Sequence, residues 1–132
     1  MKRKILSVVM VLLLVMNLGM VVSAEDSETV TDTVTGTVDG HSFRGTSVIN
    51  NSGASARTEC YIGCVVSRVI STYRYVIYGE GEYKVTKEAS AHNYASVSFT
   101  GGDGSVDISS AHMATNEQTG HVSSITTYHL YW

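Results

Sequence analysis

A chain of 132 residues with nine Lys and Arg against twelve Asp and Glu, net charge −3, has room for one domain and lacks the basic excess that follows a phosphate backbone. Beyond position 4 its cations are Arg44, Arg57, Arg68, Arg74, Lys84 and Lys87, scattered among carboxylates. That distribution excludes nucleic acid as a partner and disfavours an anionic membrane surface.

Lys2-Arg3-Lys4, an apolar run from Ile5 to Val22 and the small residues of Val22-Ser23-Ala24 mark residues 1–24 as an expected signal peptide. Eighteen apolar residues are the lower limit for a membrane span, but Asn17 and Gly19 interrupt them and Glu25-Asp26 follow at once, as in a precursor that is cleaved. No Cys near Ala24 offers a lipid site, and the C-terminal Tyr128-His129-Leu130-Tyr131-Trp132 lacks an apolar tail, so no stable membrane anchor is expected after cleavage. Removing 24 of the 132 residues leaves 108, with six basic and twelve acidic side chains and a net charge of −6. The expected product is secreted and extracellular.

Residues 25–32 are acidic and polar with no apolar face and read as a flexible leader, so one domain is expected over 33–132. Its first element is a hairpin, Thr33 to Val38 and His41 to Val48 around Asp39-Gly40, the dipeptide that supplies both positive-φ positions of a type I′ turn. Asn50-Asn51-Ser52-Gly53 is the next turn. From Ala56 to Val66 the even positions alternate as an inward face, and the bulk at Tyr73, Tyr75 and Ile77 moves to odd positions, which predicts a bulge or turn between Ser67 and Thr72. Strands are expected over 82–86, 94–100, 105–114 and 122–132, with turns at Gly79-Glu80-Gly81, Gly101–Gly104 and Asn116–Gly120; the one stretch compatible with helix is Val85 to Asn93. Seven or eight strands joined by Gly and Asn turns predict an all-β fold, a small antiparallel β-sandwich, with a small β-barrel as the alternative.

Cys60 and Cys64 lie four apart. On one continuous strand their Cα atoms stand about 13 Å apart, beyond the limit of about 7 Å for a disulfide; the alternation favours two free thiols, and a bridge requires Tyr61-Ile62-Gly63 to turn. The acidic neighbour Glu59 argues against a catalytic thiolate. Of five histidines, His112 and His121 flank the Asn116–Gly120 loop and are the weak candidates for a metal pair, with His92 or Asp107 as a third ligand arriving by tertiary contact. Gly101-Gly102-Asp103-Gly104-Ser105-Val106-Asp107 resembles the calcium nonapeptide of exported β-helices, yet its aspartate arrives one residue late and the copy is single, which predicts a plain hairpin loop. No G-x-S-x-G elbow or glycosidase-like acidic pair occurs, so neither enzyme activity nor a cofactor is expected.

The tyrosines carry a binding hint, although the favoured reading is that they pack the sandwich. Tyr73 and Tyr75 share a strand face, Tyr128, Tyr131 and Trp132 close the chain, and Tyr61 lies opposite the cysteines as the exposed ring; flat rings with hydroxyl tips suit sugars or protein surfaces. Val122 to Trp132 carries no charge or Pro, so it is either paired on both sides, the favoured reading, or a docking edge for self-association or a partner strand. The sequence is read as a non-enzymatic secreted module that binds a protein or glycan at the cell surface. The alternative is a bacteriocin-like antagonistic protein, against which the net charge of −6 stands.

Overall fold

Asp39 and Gly40 hold φ of 49° and 80°, the paired positive values of the tight turn their dipeptide predicts. Val38 therefore faces His41, and β1 (Val30–Val38) zips onto β2 (His41–Asn50) without a register shift. Asn50 Oδ1 accepts from the backbone N–H of Ser52 at 2.9 Å and its hydroxyl at 3.1 Å, closing the turn into β3 (Gly53–Cys60). The remaining strands are β4 (Val65–Ile77), β5 (Gly81–Thr100), β6 (Gly104–Asn116) and β7 (Val122–Leu130). This computed structural model describes residues 28–131; the expected signal peptide at 1–24, the first residues of the leader and Trp132 lie outside them.

All pairings are antiparallel, in the order β1-β2-β3-β5-β4-β6-β7. Two walls share β5, whose residues 93–100 pair with β3 and whose residues 81–92 pair with β4. Asn93, with φ 67°, sits at the joint, on the β3-paired side. The end strands β1 and β7 lie alongside each other, Gly36 against Ile125, so the sheet is nearly closed and barrel-like. The all-β antiparallel fold is as expected, with two sandwich-like walls joined into the near-closed sheet of the alternative reading.

Four details differ from the sequence reading. β1 begins at Val30 rather than Thr33, because Val30 pairs with Ile49 and packs on the core. The inward face changes phase at Tyr61–Cys64, not between Ser67 and Thr72: even positions point inward through Cys60, and odd positions do so from Val65. Val85 to Asn93 is strand, since each residue pairs across to β4 or β3. β7 ends the sheet order instead of lying within it, and its outer side is flanked by β1.

The inward residues form apolar groups at each end of the interior, one around Ile49, Tyr73, Phe99 and Ile108 and the other around Val38, Phe43, Val65 and Ala114. Between them the inward series turns polar on several strands at once: Ser47 on β2, Thr58 on β3, Ser71 on β4, Ser110 and His112 on β6, and Thr127 on β7, all essentially inaccessible to water. These groups satisfy one another. Thr58 Oγ1 lies 2.9 Å from His112 Nδ1 and Thr127 Oγ1 2.9 Å from Nε2; Thr127 meets Ser47, whose hydroxyl donates to Ser110 at 2.9 Å; Ser110 and Ser71 are 2.8 Å apart, and Ser71 donates to the Ser109 carbonyl.

Each ring nitrogen of His112 therefore has a hydroxyl partner, Thr58 at Nδ1 and Thr127 at Nε2, and a neutral imidazole donates at one nitrogen while accepting at the other. Burial pushes its pKa down to about 4, and the nearby Asp32 carboxylate and a hydrogen bond to the Arg57 backbone oppose only part of that shift. Gly45 makes room for the ring, since a Cβ there would collide with Cγ and Cδ2 of His112.

In the unfolded chain this imidazole protonates near 6.5, so acid favours unfolding progressively from about pH 6.5 to about 4, by about 3 kcal/mol in total, and the full stability is present above that window. Imidazole NMR is expected to show a His112 ring that stays neutral above pH 5; a resonance titrating near 6.5 would refute its burial as a neutral group. Gly45→Ala is expected to cost about 3 kcal/mol, roughly 15 °C in Tm by thermal denaturation.

Candidate functional site

With Phe43, Ser47 and Ile49 turned inward, β2 presents Arg44, Thr46 and Val48 on the opposite face. The Asn50–Gly53 turn sets their neighbours on β3: Arg44 faces Glu59, Thr46 faces Arg57 and Val48 faces Ser55. Continuing across the wall, Glu59 faces Tyr94 of β5, and Arg44 faces Thr35 of β1. One row therefore reads Thr35, Arg44, Glu59, Tyr94 over four strands, beside a second of Thr33, Thr46, Arg57 and Ser96. Period-two alternation adds Tyr61 to the face of Arg57 and Glu59.

Glu59 is the centre of this face. Its side chain is 6% exposed while those of Arg44 and Arg57 are 57% and 47% exposed, so a covered carboxylate anchors two uncovered guanidiniums. Arg44 Nε donates to Oε1 at 2.6 Å and Arg57 Nε to Oε2 at 3.1 Å, each reinforced by Nη2, and the Tyr61 hydroxyl donates to Oε2 at 3.1 Å. Burial pushes the Glu59 carboxyl up, but the hydrogen bonds from Arg57, Arg44 and Tyr61 outweigh it and hold the group below its usual range. Arg57 is raised in turn by its bond to Glu59 and lies 5.0 Å over the Tyr94 ring. Two cations on one anion leave this face one positive charge in excess.

Depressions flank the cluster. One of about 440 Å³ is bordered by Thr33, Thr46, Ser55 and the two arginines, and one of about 290 Å³ by Thr35, Ser42, Phe43 and Tyr61. On the other wall the arginines are more fully neutralised. Arg74 bonds both Asp107 and Glu82, with the Tyr128 hydroxyl also on Asp107 at 3.2 Å, and Arg68 bonds Glu88.

The residues singled out by sequence do not converge. Tyr73 is fully buried with its hydroxyl 2.8 Å from Ser105 Oγ, and Tyr75 is half-buried in a stack between Tyr73 and Tyr83, so this pair packs the interior rather than meeting a ligand. Tyr128 is exposed on β7, whereas Tyr131 is half-buried against the core and donates to the Glu28 carbonyl at 3.2 Å. Trp132 lies outside the described residues. His112 faces Ile125 in the interior and His121 binds Asp39 at 2.7 Å, because the hairpin register sets the two histidines apart; among the described residues no three His, Cys, Asp or Glu group as metal ligands. Cys60 and Cys64 are free thiols at the ends of the β3–β4 turn, Cys60 buried and donating to the Ser42 carbonyl.

Tyr61 is exposed at 63%, as its strand face predicts. Arg57-x-Glu59-x-Tyr61 is visible in the sequence as a same-face triplet, but Arg44 joins it only through the register of the second hairpin. Comparison with family models, curated proteins and solved structures finds no match.

Glu59→Gln removes the charge that holds both guanidiniums and is expected to cost about 2 kcal/mol at neutral pH. The wild-type carboxylate contributes this stability above about pH 4.5 and loses it as its folded form protonates, so denaturant midpoints of the two proteins should converge in stronger acid.

Proposed function

We propose that this protein is a non-enzymatic binding module, working at the cell exterior after export, that takes an acidic glycan on the outer face of β1, β2, β3 and the second half of β5. The observation that carries the reading is the arginine pair aligned by Glu59. Each guanidinium spends Nε and Nη2 on the carboxylate, and Nη1 of each has no partner among the described residues. Arginines already oriented lose little freedom on meeting a second anion, and their planar forks match carboxylate or sulfate geometry.

A sugar ring fits what surrounds them. Tyr61, 63% exposed, offers a stacking face, and Thr33, Thr35, Thr46 and Ser55 supply donors and acceptors at the strand spacing. The interior imidazole–hydroxyl chain is shut off from any ligand, and Thr119 bonds Asp39 rather than the His121 ring, so neither assembles an accessible nucleophile and base. The exterior location is part of the proposal and rests on the Lys2 to Ala24 segment.

Calorimetric titration of the processed chain with uronic-acid oligosaccharides, beside neutral ones of equal length, tests the reading. Binding of the acidic series alone, weakening with salt, is expected. Arg57→Ala should reduce it about 10-fold or more, the loss of one charge-assisted hydrogen bond. Equal binding of neutral sugars, or none of either, refutes it.

A further inference from the structure

β5 is longer than either strand it pairs with, and its first half is left with an open side. β3 runs out at Cys60, opposite Asn93, so residues 81–92 pair with β4 alone. Ten of these twelve residues are exposed and only Val85 and Ala89 are half-buried, and among the described residues no second strand pairs with this edge. No bulge interrupts its register on β4 and the chain has no Pro to block it. The sheet's two end strands, by contrast, flank each other.

Charges normally guard such an edge, and here they are arranged to admit one partner. Lys87 is folded back, its Nζ donating to the Ser98 carbonyl at 2.7 Å and lying 5.3 Å from the Phe99 ring. Lys84 faces Arg74 across the β4–β5 pair and has no carboxylate partner among the described residues. Glu88 is held by Arg68 through Oε1, leaving Oε2 without a partner there. Both side chains point to the same face as Thr86, two residues from it on either side.

We propose that two copies of this chain associate through residues 81–92, antiparallel and about a twofold axis at Thr86, joining two sheets edge to edge. In that register Lys84 of each copy stands opposite Glu88 of the other, and both contacts recur by symmetry. Centring the axis on Val85 instead sets Glu82 against Glu88 twice, and centring it on Lys87 sets that lysine against itself. Electrostatics thus selects the Thr86 register among its neighbours.

Sedimentation of the processed chain over a concentration series is expected to show a monomer passing to a species of doubled mass. Lys84→Glu and Glu88→Lys should each abolish the dimer, and the double charge exchange should restore it while both single variants keep the wild-type circular dichroism. Thr86→Cys is expected to yield a covalent dimer on air oxidation, since facing residues in antiparallel strands have Cα atoms about 5 Å apart. A monomer at every concentration, a dimer indifferent to Lys84→Glu, or Thr86→Cys giving no more cross-linking than wild type overturns the proposal.

Discussion

A neutral imidazole with both nitrogens satisfied is the constraint on which the interior depends. His112 sits where five strands contribute a polar inward residue, and each of those groups would be costly in an apolar core if it stood alone. None does: among the described residues no buried side-chain nitrogen or oxygen lacks a partner. The cost of burying so much polarity is offset only by the complete set, which ties the lateral positions of β2, β3, β4, β6 and β7 to one another more specifically than interchangeable apolar contacts could. A slipped strand would carry a hydroxyl out of the chain and leave two neighbours unpaired.

The same logic, turned outward, shapes the two walls differently. Each wall has a covered carboxylate bonded by arginine and a tyrosine hydroxyl, Glu59 on one and Asp107 on the other. Around Asp107 the single Arg74 also meets Glu82, so charge is consumed locally. Around Glu59 there are two arginines and one acid, so charge is left over. A protein of overall negative charge can therefore hold a small cationic field on one face, and it is this local imbalance, rather than the net charge, that decides what the face attracts.

What was legible in the sequence was local. Asp39-Gly40, Asn50–Gly53, Gly101–Gly104 and Asn116–Gly120 announce turns because their backbone chemistry requires no knowledge of neighbours, and from them most of the strand list follows. The phase change is hidden because Ile62, apolar at an even position, prolongs the apparent alternation into a turn where it is exposed at 38%. The polar layer is illegible for the opposite reason: Ser47, Ser71 and Ser110 look like solvent-facing residues until the fold brings Ser110 and Thr127 to Ser47 from 63 and 80 residues away. The paired histidines failed on register, since a hairpin in which Thr115 faces Val122 sends His112 to Ile125. Arg44 and Glu59 likewise meet through register, which depends on where a turn closes and not on either residue.

Sharing one long strand between two walls has a kinetic side. β4 and β5 meet at Ile77 and Gly81 with almost no loop to close, whereas β3 meets β5 across sequence separations that grow from 33 residues at Cys60–Asn93 to 47 at Gly53–Thr100. The entropy of ring closure is thus small for one wall and substantial for the other, so the β4–β5 hairpin is the natural nucleus. During synthesis β1, β2 and β3 emerge first yet form only a three-stranded fragment until residue 100 has followed. Most of the chain must exist before its interior can be sealed from water.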